Sequence, residues 1–333
     1  MNKKLAVAFA FCFSAILFGI ETKEELIVKL KAGIQQADTE KVKGAVTQNS
    51  SILQEIVPGI KIRRQDQGKK PLEFALEQKL VNADIILYLL ENQPTLNESL
   101  LGKLFATNNE PLIKKVVEEH STKLPADHIV FKRAMALKNA SLIDYLLQKK
   151  FNITPEQATN LLFFAIQNKV SLAFITALIE QYNASLTMTK TYKNYNRRYQ
   201  HGSAEIFVTG ATPLFFALIE SSNAVDYLIS KLPSAHIKDT SFALDISWCT
   251  MQADYETTCS SLNKTSPEKN FKNASYLTAA LLGENQKGID LLAQKGLTVT
   301  PLDVYLNKWV TTPRLGNVKN YKEINEQEAK KKK

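Results

Sequence analysis

A chain of 333 residues is long enough to bury a sizeable core in one large domain or two. Its 44% hydrophobic and 23% charged residues exclude wholesale disorder, and 12 Gly with 11 Pro are too few for a sandwich of tight turns. The formal charge is +9, but Lys3, Lys4 and the run Lys330 to Lys333 supply six of it, which leaves no dense basic stripe to hold nucleic acid.

The N-terminus reads as an export signal. Met1-Asn2-Lys3-Lys4 is a short positive stretch, and Leu5 to Ile20 is uncharged and rich in Phe. That run is shorter than the about 20 residues that cross a bilayer, and it matches the apolar part of a signal. Ser14, Ala15 and Gly19 permit cleavage between Gly19 and Glu21. Residues 1–20 are therefore expected to be a signal peptide and the protein to be exported, periplasmic or secreted. Left uncleaved, the same segment would tether the chain to a membrane.

A helical pair then recurs along the chain. Each copy opens with an apolar, Ala-containing helix, passes through a polar turn and closes on adjacent aliphatics. Leu30 to Val46 is a weak first copy. Pro71-Leu72-Glu73-Phe74-Ala75-Leu76 leads to Ile85 through Leu90, and Leu104-Phe105-Ala106 to Val116-Val117. Ala136 leads to Leu146-Leu147, Leu162 through Ala165 to Leu178-Ile179, and Leu277 through Leu281 to Leu291-Leu292. The anchors Ala106, Ala136 and Ala165 are spaced 30 and 29 apart, close to a helix-pair period of about 33. Proline suits the first turn of a helix, where a missing N–H costs nothing. Alanine lets a neighbouring helix approach. One such pair cannot bury its apolar face alone, so copies must stack.

The clearest copy carries a family resemblance. Gly210-Ala211-Thr212-Pro213-Leu214-Phe215-Phe216-Ala217 resembles the G-x-T-P-L-H-x-A opening of an ankyrin repeat, with Phe215 in place of the His. Val225, Leu228 and Ile229 match that repeat's second helix. Gly68-Lys69-Lys70-Pro71-Leu72 keeps the Gly, Pro and Leu of the same opening. The resemblance implies an all-α, ankyrin-like helix-pair solenoid over residues 21–312, with a concave face for an unidentified protein partner.

Two segments break the register. Between residues 183 and 209, Thr- and β-branched arms surround an Asn- and Gly-containing tip, which predicts an inserted β-hairpin. Tyr192, Tyr195, Arg197, Arg198 and Tyr199 are its candidate binding residues, because Tyr and Arg often dominate interface energies. The alternative is that these tyrosines pack back onto the helices. Residues 236–273 read as an irregular segment holding one distorted repeat and a loop. It contains Cys249 and Cys259, which an oxidising compartment would let bridge, although spacing does not reveal sulfur geometry. Pro301 opens a final capping helix, and residues 313–333 form a charged tail that starts irregular, with Tyr321 to Lys333 either a frayed helix or disordered.

Local catalytic signatures are missing. No H-E-x-x-H, P-loop, G-x-S-x-G or G-x-G-x-x-G occurs, and His120 and His128 flank Leu124-Pro125 instead of sharing a helix face. The expectation is a monomeric binding protein with no catalytic residue, no metal and no cofactor. Its partner is a protein and not nucleic acid, with a membrane involved only through an uncleaved N-terminus. A hydrolase assembled from distant residues on a divergent helical fold is the alternative.

Overall fold

The computed structural model describes residues 21–55, 61–62, 65–66, 69–79, 81–92, 96–149, 151–199, 202–251, 257–261, 274–307, 315–318 and 320–330. The expected signal peptide lies outside this set, as do Gln200 and His201 at the hairpin tip. The described residues are mostly helical with a small antiparallel sheet. They fall into two compact units, Met1–Leu137 and Lys138–Lys333, each taken by itself.

The first unit holds α1 (Lys23–Gln36), α2 (Thr39–Gln48), α3 (Pro71–Leu76), α4 (Ala83–Glu91), α5 (Glu98–Ala106), α6 (Glu110–Glu119) and α7 (Asp127–Ala136). A short antiparallel pair, β1 (Lys61–Ile62) and β2 (Gln65–Asp66), precedes α3. Helix α1 starts at a reciprocal cap: the Thr22 N–H donates to Glu25 Oε2 at 2.8 Å, and the Glu25 N–H donates to Thr22 Oγ1 at 3.3 Å. Its buried Leu26, Leu30, Gly33 and Ile34 recur at helical spacing. Ala37, at φ 55, ends the helix in the left-handed region, and Asp38 immediately caps α2. The same device joins α5 to α6, where Asn108 has φ 51 and Asn109 Oδ1 accepts the Leu112 N–H at 3.1 Å. Such turns return the chain antiparallel in very few residues. Gly33 allows the close return of α2, because a Cβ there would lie 2.9 Å from Val42 Cγ2. First helices α1, α3, α5 and α7 pack in succession, and α2 packs on α4.

The second unit begins with α8 (Ala140–Gln148), α9 (Pro155–Gln167) and α10 (Leu172–Glu180). The sheet strands β3 (Lys190–Tyr199) and β4 (Gly202–Ala211) follow, then α11 (Pro213–Ile219), α12 (Val225–Lys231) and α13 (Ser234–Asp239). After β5 (Ala243–Met251) and β6 (Thr257–Ser261) come α14 (Tyr276–Leu282), α15 (Gln286–Gln294), α16 (Pro301–Leu306) and α17 (Tyr321–Lys330). Helices α9, α11, α14 and α16 pack in succession, and α12 packs on α15. Buried polar bonds join the starts of these successive helices. The Thr212 and Tyr276 hydroxyls lie 2.8 Å apart, and Thr278 Oγ1 donates to Asp303 Oδ1 at 2.6 Å. Burial pushes the Tyr276 hydroxyl pKa above its ordinary value.

The strand content corrects the all-α expectation. A hairpin was expected within residues 183–209 and forms at 190–211, but β5 pairs with β4 and β6 with β5, giving an antiparallel order β3-β4-β5-β6. The segment read as a distorted repeat is therefore partly sheet. Its cause is a period-2 pattern: Leu244 and Ile246 are buried while Ala243 and Asp245 are exposed. In the C-terminal stretch, where a frayed helix or disorder was expected, α17 forms and packs on α16.

Candidate functional site

Where its side chains are described, on β3, β4 and the first half of β5, the sheet has one face buried and one in solvent. Tyr192, Ala204, Ile206, Val208, Leu244 and Ile246 are buried, and Lys193, Glu205, Phe207, Thr209 and Asp245 alternate with them on the exposed side. The buried face meets a chain of rings. Phe163 contacts Phe216 edge-on at 4.8 Å between centroids, Tyr192 contacts Phe216 at 5.2 Å, Phe215 contacts Phe242 at 4.6 Å, and Phe242 contacts Tyr276 at 5.0 Å. Phe215 is fully buried in this chain of rings, 6.2 Å from Tyr192.

The expected binding residues separate into two groups. Tyr192 is only 1% exposed, so it is withdrawn from the expected contact set. Its hydroxyl donates to Glu220 Oε1 at 2.6 Å, just past the end of α11, and accepts from Asn194 Nδ2 at 3.2 Å. The physical reason is its position in the alternation: it lies across from Val208, itself buried. Tyr195, Arg197, Arg198 and Tyr199 lie along the distal half of β3 and not in an open tip. Arg197 pairs with Ala204, Arg198 with Ser203 and Tyr199 with Gly202. The pairing shifts between Asn194 and Arg197, so two residues there, Tyr195 and Asn196, oppose the single Glu205.

The exposed face carries a site that the Tyr/Arg reading did not include. Phe207 is 41% exposed and lies in register between Lys193 on β3 and Asp245 on β5. Lys193 Nζ sits 5.2 Å from the centre of the Phe207 ring. A cation, an aromatic ring and a carboxylate therefore cross the sheet in one row. Ala204, Ile206 and Val208 at period 2 place Phe207 on the opposite side with Glu205 and Thr209, although Ile206-Phe207-Val208 is one apolar run in the sequence. On the other edge of the buried face, Lys190 Nζ lies 5.0 Å from the centre of the Phe163 ring and fixes the start of the hairpin against α9.

This face offers recognition chemistry: an apolar ring with charges of both signs beside it, held on a rigid sheet. The histidines offer little more. His120 Nε2, His128 Nδ1 and His236 Nε2 are buried without a hydrogen-bond partner among the described residues. No group of three or more metal-ligating side chains occurs among the described residues. No helix among them is long and apolar enough to cross a membrane. Cys249 and Cys259 are cross-strand partners in the β5–β6 ladder. No family model matches the chain, and no curated protein matches it.

Proposed function

We propose that the chain is an exported, non-catalytic binding protein. Its stacked helix pairs act as an ankyrin-like solenoid, and a protein partner docks on the hairpin and the exposed face of the sheet. The observation that carries this reading is the two-sidedness of the hairpin. Tyr192 and Lys190 fix it to α11 and α9, while Phe207 and Lys193 stay exposed on its other side. A rigid scaffold that leaves a large ring in water favours binding, because little ordering entropy remains to be lost on contact. Tyr195, Arg197, Arg198 and Tyr199 extend the same strand and supply further contact side chains in this reading. Ankyrin-like stacking supplies the scaffold and the turn residues that can vary without disturbing the core.

The test is capture from an envelope extract by the immobilised chain, set against a variant with both Phe207→Ser and Lys193→Glu. Circular dichroism controls for folding. A protein retained by the parent and lost from a folded variant supports the reading. Equal retention by both, or none by either, overturns the docking face. Mass analysis of the N-terminus of exported material should place cleavage between Gly19 and Glu21, and an intact Met1 would overturn export by cleavage.

A further inference from the structure

We propose that Cys249 and Cys259 form an intramolecular disulfide that ties β6 to β5. The carrying observation is strand register. The β5–β6 ladder pairs Ser247 with Ser261, Trp248 with Ser260, Cys249 with Cys259, Thr250 with Thr258 and Met251 with Thr257, so the two cysteines face each other at its centre. Directly opposed residues in an antiparallel ladder have Cα atoms about 4.5 or about 5.5 Å apart, depending on which pair type they form. Both spacings fall inside the range of about 4.4–6.8 Å that a disulfide spans. A slip of one residue would set Cys249 against a neighbour of Cys259 and move one cysteine to the opposite side of the sheet.

The location gives the bond a purpose. Among the described residues β6 is an edge strand whose sheet partner is β5, and apart from Cys259 it consists of Thr257, Thr258, Ser260 and Ser261. Such a strand brings little apolar area to burial, and an exposed edge is open to stray pairing. A covalent tie at its midpoint holds it in register without a hydrophobic face. The chain has 3 cysteines, and Cys12 lies in the stretch expected to be removed on export.

The bond forms by exchange with a disulfide donor such as oxidised glutathione. The thiolate of one cysteine attacks the donor and releases one glutathione thiol. The second cysteine's thiolate then attacks the protein sulfur of that mixed disulfide and releases the other. The protein loses two hydrogens, and the donor is reduced to two thiols. The inference does not depend on the docking face.

The full chain is equilibrated natively in a glutathione buffer at an oxidising secretory poise, then denatured and alkylated with iodoacetamide without reduction. No Lys or Arg stands between Asp239 and Asn263, so trypsin leaves both cysteines on one peptide. Cleavage after Glu256 then splits that peptide between them. The expected result is an unalkylated peptide two hydrogens light, whose halves stay joined until reduction, with Cys12 alone alkylated. Alkylation of both Cys249 and Cys259, or a bridge from either one to Cys12, overturns the proposal. As a second readout, amide exchange in β6 should quicken roughly tenfold or more when the folded protein is reduced. Unchanged exchange in a chain shown to be bridged would overturn the staple role.

Discussion

Tyr192 Oη donates to Glu220 Oε1 across 2.6 Å, tying the first strand of the sheet to the residue that ends α11. The bond crosses 28 residues of sequence and joins the β3–β4 hairpin to α11. The ring beneath the hydroxyl is packed edge-on to Phe216, so apolar burial and a charge-assisted bond act on the same side chain.

Tyr192→Phe keeps the ring and deletes both bonds of the hydroxyl, the strong one to Glu220 and the longer one from Asn194 Nδ2. Glu220 is half-buried and can turn to water, so the loss should be about 1.5 kcal/mol, at the lower end for a bond to a charged group. Tyr192→Ala also removes the ring and should cost about 3–5 kcal/mol. Denaturant unfolding of the three proteins measures both. Equal stability of Tyr192→Phe and the parent would show that the hydroxyl's bonds add nothing net.

How legible this arrangement was in the sequence depends on range. Short-range signals carried well: Pro71, Pro213 and Pro301 each open a helix. The β3–β4 hairpin followed from its two arms. Tyr192 misled because tyrosine is amphipathic, and nothing local says whether its ring meets a partner or a core. The deciding contact, Glu220, lies far along the chain. The strand at Leu244 to Trp248 was readable from alternation alone, but expectation of another helix pair outweighed it. Phe207 sits in the apolar run Ile206-Phe207-Val208 and was overshadowed by the denser cluster of Tyr and Arg nearby.

Gly283 tests whether α11 and α14 are as closely packed as their ends imply. A Cβ there would sit 2.1 Å from the Leu218 carbonyl oxygen and 2.9 Å from Ile219 Cα, both backbone atoms that cannot swing away. Its φ of −79 suits any residue, so the cost of Gly283→Ala is steric. It should destabilise by about 3 kcal/mol, the upper end of ordinary overpacking. Gly44, inside α2, is the contrast, since a Cβ added there meets nothing within 4 Å. Gly44→Ala should stabilise by about 0.5–1 kcal/mol through reduced freedom of the unfolded chain. Unfolding midpoints that move in the same direction for both variants would contradict this account of the helix contact.

Asp303 gives the fold a pH dependence of unusual sign. Its side chain is fully buried near the start of α16, where Oδ1 accepts from Thr278 Oγ1 and Oδ2 accepts from the Thr300 N–H at 2.9 Å and Thr300 Oγ1 at 2.8 Å. Burial pushes its pKa up, and the bonds from Thr278 and Thr300 only partly oppose that. The folded chain therefore holds this proton to a higher pH than the unfolded chain does. Its contribution is fully present below the ordinary carboxyl range and is lost as pH rises through the elevated folded value. Asp303→Asn stays neutral, can still accept from Thr300 and can donate to Thr278, and so should lack this loss. Unfolding midpoints of parent and variant, taken from about pH 4 to about pH 8, should diverge as pH rises, with the variant the less sensitive. Parallel profiles would mean that Asp303 is not held protonated by burial. Asp303→Ala, which leaves the buried Thr278 hydroxyl and the Thr300 N–H without their acceptor, should cost about 2–3 kcal/mol at either end of the range.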